Sequence, residues 1–115
     1  MKARLHDALK RLPGAPDAVY PEGVPFATVM AGGSMRVEVF APGSNSDDQD
    51  RQQAHTQDEL YFVQTGQGEI IINGQRFDAG PGDAFFVAAG TAHRFEKFSK
   101  DFVTWVVFYG PPGGE

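Results

Sequence analysis

Histidine and carboxylate side chains carry the possible chemistry of this 115-residue chain, because the sequence contains no cysteine. Without cysteine, thiolate catalysis, disulfide bonds and Cys-ligated zinc or iron–sulfur sites are excluded. A metal site must therefore use imidazole, carboxylate or amide oxygen. Of the three histidines, His55 and His93 each begin a predicted strand, whereas we expect His6 to be solvated on the polar side of a short helix.

The spacing around His55 predicts a cluster of polar side chains on one face of a strand. Residues two or four apart on a strand project to the same side. If the strand extends back far enough, four candidates share a face: Gln53, His55, Glu59 and Tyr61. His55 and Glu59 are further apart than nearest same-face neighbours, so a metal can lie between them only where the strand curves or bulges. His93 could close such a site from a different strand.

Two imidazoles and one carboxylate with open positions match the facial ligand set of non-haem Fe(II), and the same set suits Zn, Mn or Ni. Spacing alone does not decide the question, because a solvated or hydrogen-bonded polar face has the same pattern. Other chemistries have less support. Asp58 and Glu59 face opposite ways on a strand, no serine lies in a nucleophile elbow, and the glycine-rich turns lack the lysine and helix of a phosphate loop.

Charge and hydropathy exclude several classes of partner. Lys and Arg total 10 against 15 for Asp and Glu, so the net charge is −5, and no concentrated basic patch offers phosphate-backbone binding. Charged residues are scattered through the first turns instead of the apolar segment of a signal peptide. The longest apolar run, 84–89, is too short to span a bilayer. We therefore expect a cytoplasmic protein that binds neither nucleic acid nor membrane.

Glycine and proline, at 14 and 8 residues, separate short apolar runs without any repeat period. This arrangement is typical of many short strands joined by tight turns and not of a helical bundle. Asn73-Gly74 is the strongest hairpin signal, because both central residues of the turn need a positive φ. The predicted strands span 26–30, 34–40, 55–64, 69–72, 75–78, 84–88, 93–98 and 102–109. About eight or nine strands at this spacing favour an all-β sandwich or barrel.

Residues 1–25 are predicted to be an N-terminal segment that precedes one barrel domain at 26–115. An apolar stripe at i, i+3, i+4 and i+7 predicts a helix over residues 1–12, and the stripe consists of Leu5, Ala8, Leu9 and Leu12. Four prolines then favour an extended arm over residues 12–25 without regular pairing. Because the arm and the stripe both need a surface to cover, we expect a homodimer.

Two stretches of the chain resemble the paired motifs of the cupin family. Residues 53–59, with Gly66 after them, are similar to the first motif, in which H-x-H, three or four residues and a Glu precede a glycine turn. Residues 82–93 are similar to the second motif, G-x5-P-x-G-x2-H. With the Asn-Gly hairpin between them, the resemblance covers residues 34–109 and is nearest to small single-domain bacterial cupins.

The resemblance implies an all-β jelly-roll barrel, the cupin double-stranded β-helix, with a divalent metal inside. The metal ligands that it implies are Gln53, His55, Glu59 and His93. Gln53 stands where the first His of the motif is expected, and its neutral amide oxygen is a weaker donor that favours harder metals over Cu or Zn. Ala88 replaces the proline and Lys97 the terminal asparagine of the second motif, and both changes affect turn rigidity without supplying or removing a ligand.

The resemblance leaves three classes of function open. The first is a metal-dependent enzyme of dioxygenase, isomerase or lyase type, which binds Fe, Mn, Ni or Zn and a small organic molecule, with Tyr61 as a substrate contact. The second is a non-catalytic module that holds a small ligand or a metal, and the third is a structural barrel. Because cupins often pair through their sheets, the resemblance also supports a homodimer.

Overall fold

Eight strands, one α-helix and one 3-10 helix form the regular structure in the computed structural model, which describes residues 1–47 and 49–111. The helices are α1 (Leu5–Leu9) and the 3-10 turn at Pro42–Ser44. The strands are β1 (Phe26–Gly32), β2 (Met35–Phe40), β3 (Asp58–Thr65), β4 (Gly68–Ile72), β5 (Gln75–Ala79), β6 (Ala84–Val87), β7 (His93–Glu96) and β8 (Val103–Tyr109). Asp48, in the predicted polar loop, and residues 112–115 of the predicted barrel domain lie outside the described residues.

The strands form two antiparallel sheets that pack face to face. The larger sheet has the order β1-β2-β8-β3-β6, and the smaller has the order β5-β4-β7. Alternate residues of each strand point into the space between the sheets, where a cluster of buried aromatic and aliphatic side chains forms the core. Its fully buried members include Tyr61, Ile70, Val87, Phe95 and Phe102. The prediction of an all-β barrel with a short N-terminal helix is confirmed.

The face of the larger sheet that points at the smaller sheet is called the inner face, and the opposite face is the outer face. The inner face carries Glu59 and Tyr61 of β3, which are 2% and 1% exposed. Part of the outer face is covered by α1. Ala8 packs there in one cluster with Val39 and Val103, so the apolar stripe of the helix is buried against its own chain.

The helix is shorter than the predicted span of 1–12, since only Leu5–Leu9 is α-helical. After it, the backbone N–H groups of Arg11 and Leu12 bond to carbonyls three residues back, which is the tighter 3-10 pattern that precedes Pro13. The following arm forms no strand, as predicted, and Tyr20 anchors it by its buried ring. No helix within the described residues is long and apolar enough to cross a membrane.

The prediction that a strand begins at His55 is wrong, because β3 begins at Asp58. Residues 55–57 are held by contacts outside the ladder. The His55 carbonyl accepts a hydrogen bond of 2.7 Å from the Gly90 N–H, and the Gln57 side chain donates to the Gly110 carbonyl. Strict alternation therefore fails before Asp58, and His55 lies on an irregular segment instead of a strand face.

Two residues other than glycine have a left-handed backbone. Asn73 has φ 49° and is followed by Gly74 with φ 81°, which is the turn that the hairpin signal predicted. Lys97 has φ 52°, and β7 ends at the residue before it, Glu96, instead of at 98 as predicted. A side chain in this conformation crowds its own backbone, so the lysine is strained at the position where the resemblance places an asparagine.

We expect Lys97→Asn to raise the free energy of unfolding by about 1 kcal/mol, because asparagine tolerates the left-handed conformation better than lysine. Urea unfolding followed by circular dichroism measures the change. Lys10→Asn is the matched control, because Lys10 has an ordinary φ of −64°. An equal gain in both variants, or no gain at Lys97, would contradict this account of the strain.

Candidate functional site

Three side chains from separate parts of the chain converge between the two sheets. His55, Glu59 and His93 each offer one ligand atom, and these three atoms lie within 4.8 Å of one another. His93 Nε2 is 3.1 Å from Glu59 Oε2, and His55 Nε2 is 3.7 Å from Glu59 Oε1. Three of the four residues that the resemblance implied as ligands are therefore neighbours in space.

Each member of this cluster is positioned by a different element. Glu59 is the first inward residue of β3, where it lies between Val87 of β6 and Phe108 of β8 in the strand register. His93 begins β7, so it approaches from the smaller sheet. Since β3 and β7 belong to different sheets, the contact between their side chains links the two layers.

His55 reaches the cluster from the irregular segment before β3. Its ring packs edge-on against Phe108 with the ring centroids 5.0 Å apart, and 34% of its side chain stays exposed. The backbone bond from Gly90 to the His55 carbonyl ties this segment to the turn that leads into His93. Gly90 can make this turn because it has φ 76°, which favours glycine. One turn therefore fixes the positions of both histidines.

The two ring nitrogens of His93 face different partners. His93 Nδ1 lies 2.9 Å from the Thr91 carbonyl oxygen, which can only accept, so Nδ1 carries a proton and Nε2 faces Glu59. Burial lowers the pKa of His93, but the hydrogen bond and charge of Glu59 outweigh burial and raise it. Burial also lowers the pKa of His55, more than Glu59 raises it, so this ring is neutral at neutral pH.

The Tyr61 hydroxyl lies at the centre of the polar cluster. It is 2.9 Å from Glu59 Oε1, 3.1 Å from His93 Nε2 and 2.8 Å from Gln52 Oε1. Burial raises the pKa of this phenol well above its usual value, and the Glu59 charge adds to the rise. Tyr61 therefore keeps its proton, but one proton cannot satisfy all of the acceptors around it. Such an excess of acceptors favours a positive charge at this point.

Gln52 is a member of the cluster that the sequence analysis missed. Its amide nitrogen donates to Asp50 Oδ2 at 2.6 Å, so its amide oxygen turns toward the Tyr61 hydroxyl. Gln53, the predicted ligand, is exposed on the same segment and lines the clefts on both sides of it. The two glutamines are adjacent, and only a regular strand would have fixed which of them faces inward.

Asp50 anchors this segment and was also missed, because the sequence shows it only as one of several acids in a polar loop. Its buried carboxylate accepts hydrogen bonds from the Phe95 N–H at 2.7 Å and from the Tyr20 hydroxyl at 3.3 Å. It also accepts from the backbone and the side chain of Gln52. All four partners are donors, so the ionised carboxylate joins the arm, the segment and β7.

Two clefts flank residues 52–55 and lead toward the cluster. One, of about 260 Å³, is lined by Gln52, Gln53, Ala92 and His93 among others. The other, of about 300 Å³, lies between His55 and the aromatic side chains of Tyr20, Phe26 and Phe40. The second cleft reaches the lower end of the size range of small-molecule sites and has the apolar walls typical of them.

Comparisons with known proteins give a family model and one curated relative that are similar to this chain. Residues 36–109 match the family model described as a cupin domain. An uncharacterized protein of Streptomyces coelicolor is 39% identical over 62 residues, which cover 54% of this chain and 59% of the relative. The match thus spans about three fifths of the length of that curated relative.

Several solved structures share the fold. KdgF from Halomonas sp. has a TM-score of 0.59 at 18% identity, covering 75% of this chain and 77% of that chain. Pac13 of Streptomyces, described as a nucleoside dehydratase and also solved with uridine as a variant, has a TM-score of 0.59 at 17% identity, covering 73% and 67%. The DMSP lyase DddQ of Ruegeria pomeroyi has a TM-score of 0.56 at 22% identity, covering 76% and 48%. At these identities the likeness shows the fold alone.

We expect Asp50→Ala to lower the free energy of unfolding by about 3 kcal/mol, because each buried donor left without its acceptor costs roughly 1–3 kcal/mol. Thermal and urea unfolding measure this loss. Asp47→Ala is the matched control, since Asp47 pairs with the exposed Arg51 in the same loop and should change stability little. Equal losses in the two variants would show that the buried network around Asp50 carries no special weight.

Proposed function

The chain belongs to the cupin family, and we propose that it is a small metal-dependent enzyme that acts on a small organic molecule. The observation that carries the proposal is the convergence of His55, Glu59 and His93, two of them buried, around one point. Two imidazoles and one carboxylate are a common ligand set for a divalent cation. A cleft lined by aromatic residues beside the cluster supports a small-molecule substrate.

The donors fit a divalent ion of the Fe, Mn, Ni or Zn group. His55, Glu59 and His93 would hold it, with an amide oxygen from Gln52 or Gln53 beside them. The Thr91 carbonyl that fixes the tautomer of His93 is the usual outer partner of a metal-binding imidazole. A divalent ion supplies Lewis acidity, which polarises an oxygen of the bound molecule.

Tyr61 is the proposed substrate contact and proton carrier. Its hydroxyl keeps its proton at neutral pH and lies within 3.1 Å of the His93 ring nitrogen. A phenol in this place can donate to an oxygen of the bound molecule or to a leaving group. Two structures of the same fold are named as a dehydratase and a lyase, and both names denote elimination chemistry. Within the dioxygenase, isomerase and lyase classes, these names favour a lyase.

Metal analysis tests this proposal directly. The chain purified without chelator should hold about one equivalent of a transition metal, and less than about a tenth of an equivalent would contradict the site. His93→Ala should abolish metal retention, because it removes a buried ligand, while the circular dichroism spectrum stays unchanged. His6→Ala, on the exposed face of α1, should retain the metal of the wild type.

The same assay decides which glutamine contributes an oxygen. Gln52→Ala should weaken metal binding by about 10- to 100-fold, because its amide oxygen already faces the cluster. Gln53→Ala is the matched neighbour and should bind as the wild type does. The reverse result would assign the oxygen to Gln53, as the cupin motif implies.

We also propose that the chain forms a homodimer through the outer face of the larger sheet. The sequence predicted a homodimer because the arm and the helix stripe need a surface to cover, but the stripe of α1 covers the outer face of its own chain. Beyond the helix, four large apolar side chains remain exposed on that outer face, each between 44% and 62%: Met35, Phe62, Phe86 and Tyr109. The strand register places Met35 opposite Tyr109, and Phe86 opposite Leu60, which is two residues from Phe62 on β3. Exposed patches of this kind are typical of interfaces.

Light scattering should give about twice the 12.5 kDa mass of one chain at tens of micromolar. Phe86→Asp should shift the mass to that of the monomer, because it places a charge at the most exposed of these four apolar positions. Phe77→Asp is the control, since Phe77 is 37% exposed on the smaller sheet. A wild-type mass near 12.5 kDa, or an equal shift in both variants, would contradict the dimer.

A further inference from the structure

Two charged residues of β2 lie on the inner face beside the cluster of His55, Glu59 and His93. In the register of the larger sheet, Arg36 is opposite Phe108 of β8, which is itself opposite Glu59 of β3. One step further along the strands, Glu38 is opposite Val106, which is opposite Tyr61. Residues opposite each other in a ladder project from the same face. Arg36 and Glu38 therefore share the inner face with Glu59 and Tyr61.

The guanidinium of Arg36 is held in place on two sides. Its Nε donates to Glu38 Oε2 at 3.2 Å, and its Cζ lies 4.3 Å above the centre of the Phe108 ring. Glu38 is itself 9% exposed. A buried carboxylate fixes the direction of the arginine fork, whereas a fully solvated arginine samples many rotamers.

The guanidinium of Arg36 lies near the cluster of His55, Glu59 and His93. The Phe108 ring under Arg36 also contacts the His55 ring at a centroid distance of 5.0 Å. Arg36 and His55 therefore contact the same aromatic ring at the edge of the site.

The arginine still has donors to offer. Among residues 1–47 and 49–111, the structure pairs only the Nε of Arg36 with an acceptor and leaves its two terminal nitrogens without a hydrogen bond. Its side chain is 40% exposed, so a dissolved molecule can reach it. Two parallel N–H groups of a guanidinium match the two oxygens of a carboxylate. Glu38 neutralises part of the charge of Arg36, but it accepts only from Nε and leaves the edge of the guanidinium with the two terminal nitrogens accessible.

We propose that Arg36 binds the carboxylate of an anionic small molecule while another oxygen of that molecule faces the cluster of His55, Glu59 and His93. Glu38 is the positioning residue that aims the guanidinium. This inference rests on the proposed function, because it uses the same site, and it narrows the substrate class to small organic acids. A neutral molecule of the same shape leaves the fork of Arg36 unpaired and binds less tightly.

Paired acids and amides test the inference. The probes are acetate with acetamide, pyruvate with pyruvamide, and succinate with succinamide, titrated by calorimetry into the full chain loaded with Mn(II). We expect the wild type to bind at least one acid about tenfold or more tightly than its amide, since a charged hydrogen-bonded pair is worth that factor. Arg36→Gln should lose this preference, while the Kd for Mn(II) changes less than about twofold.

Arg76→Gln is the matched control, because it removes the same charge from an exposed arginine that pairs with Glu69 and Glu96 on the smaller sheet. It should keep the wild-type preference for acids. The inference is overturned if the wild type shows no preference in any pair, if Arg36→Gln keeps it, or if Arg76→Gln loses it equally. A chain that binds no Mn(II) refutes the metal site instead, and the acid preference is then measured without Mn(II).

The role of Glu38 has its own measurement. Glu38→Gln retains an acceptor for the Nε of Arg36 and should keep most of the preference for the acid, whereas Glu38→Leu should reduce it toward that of Arg36→Gln. The ratio of acid to amide binding is a readout that a general loss of stability does not change selectively. An unchanged ratio in Glu38→Leu would remove Glu38 from the inference.

Discussion

The burial of the Glu59 carboxylate between two sheets is the constraint on which the rest of the site depends. An ionised carboxylate out of water is costly unless donors or cations surround it. Glu59 is surrounded by His93 from the opposite sheet, the Tyr61 hydroxyl from the same strand and His55 from the preceding segment. The same requirement holds the two layers in register at this end of the barrel, so the polar site is also a structural contact between sheets.

A second buried carboxylate, that of Asp50, fixes the position of the irregular segment before β3. A stretch of chain outside the strands cannot rely on a ladder to fix its side chains, so it needs local acceptors of its own. By bonding the Phe95 N–H and the Gln52 amide at once, Asp50 couples the segment to β7 and turns the Gln52 oxygen inward. The position of His55, five residues after Asp50, depends on this anchoring and on the hydrogen bond from the Gly90 N–H.

The sequence predicted the strands, the hairpin at Asn73-Gly74 and the meeting of His55, Glu59 and His93, because turn chemistry and paired motifs are local patterns. Strand alternation and the motif position of the first His both indicated Gln53, whereas it is Gln52 whose amide oxygen faces Tyr61, on a segment that precedes the start of β3. Asp50 was missed because two of its partners, the Phe95 N–H and the Tyr20 hydroxyl, are distant in sequence. What escaped prediction is therefore set by contacts between segments and not by spacing within them.

The inner face of the larger sheet changes character along its strands. On β2 and β3 the inward residues at one end, Phe40 and Val63, are apolar and buried. Toward the other end the inward residues are polar or charged: Glu38 and Arg36 on β2, and Tyr61 and Glu59 on β3. Each strand read alone shows only a mixture of residue types on one face. The ladder aligns the two gradients, so that charges from separate strands reach the same row beside His55. Strand register, through β8, thus assembles a polar site from residues that are distant in sequence, while the apolar rows behind it provide the free energy that holds the register.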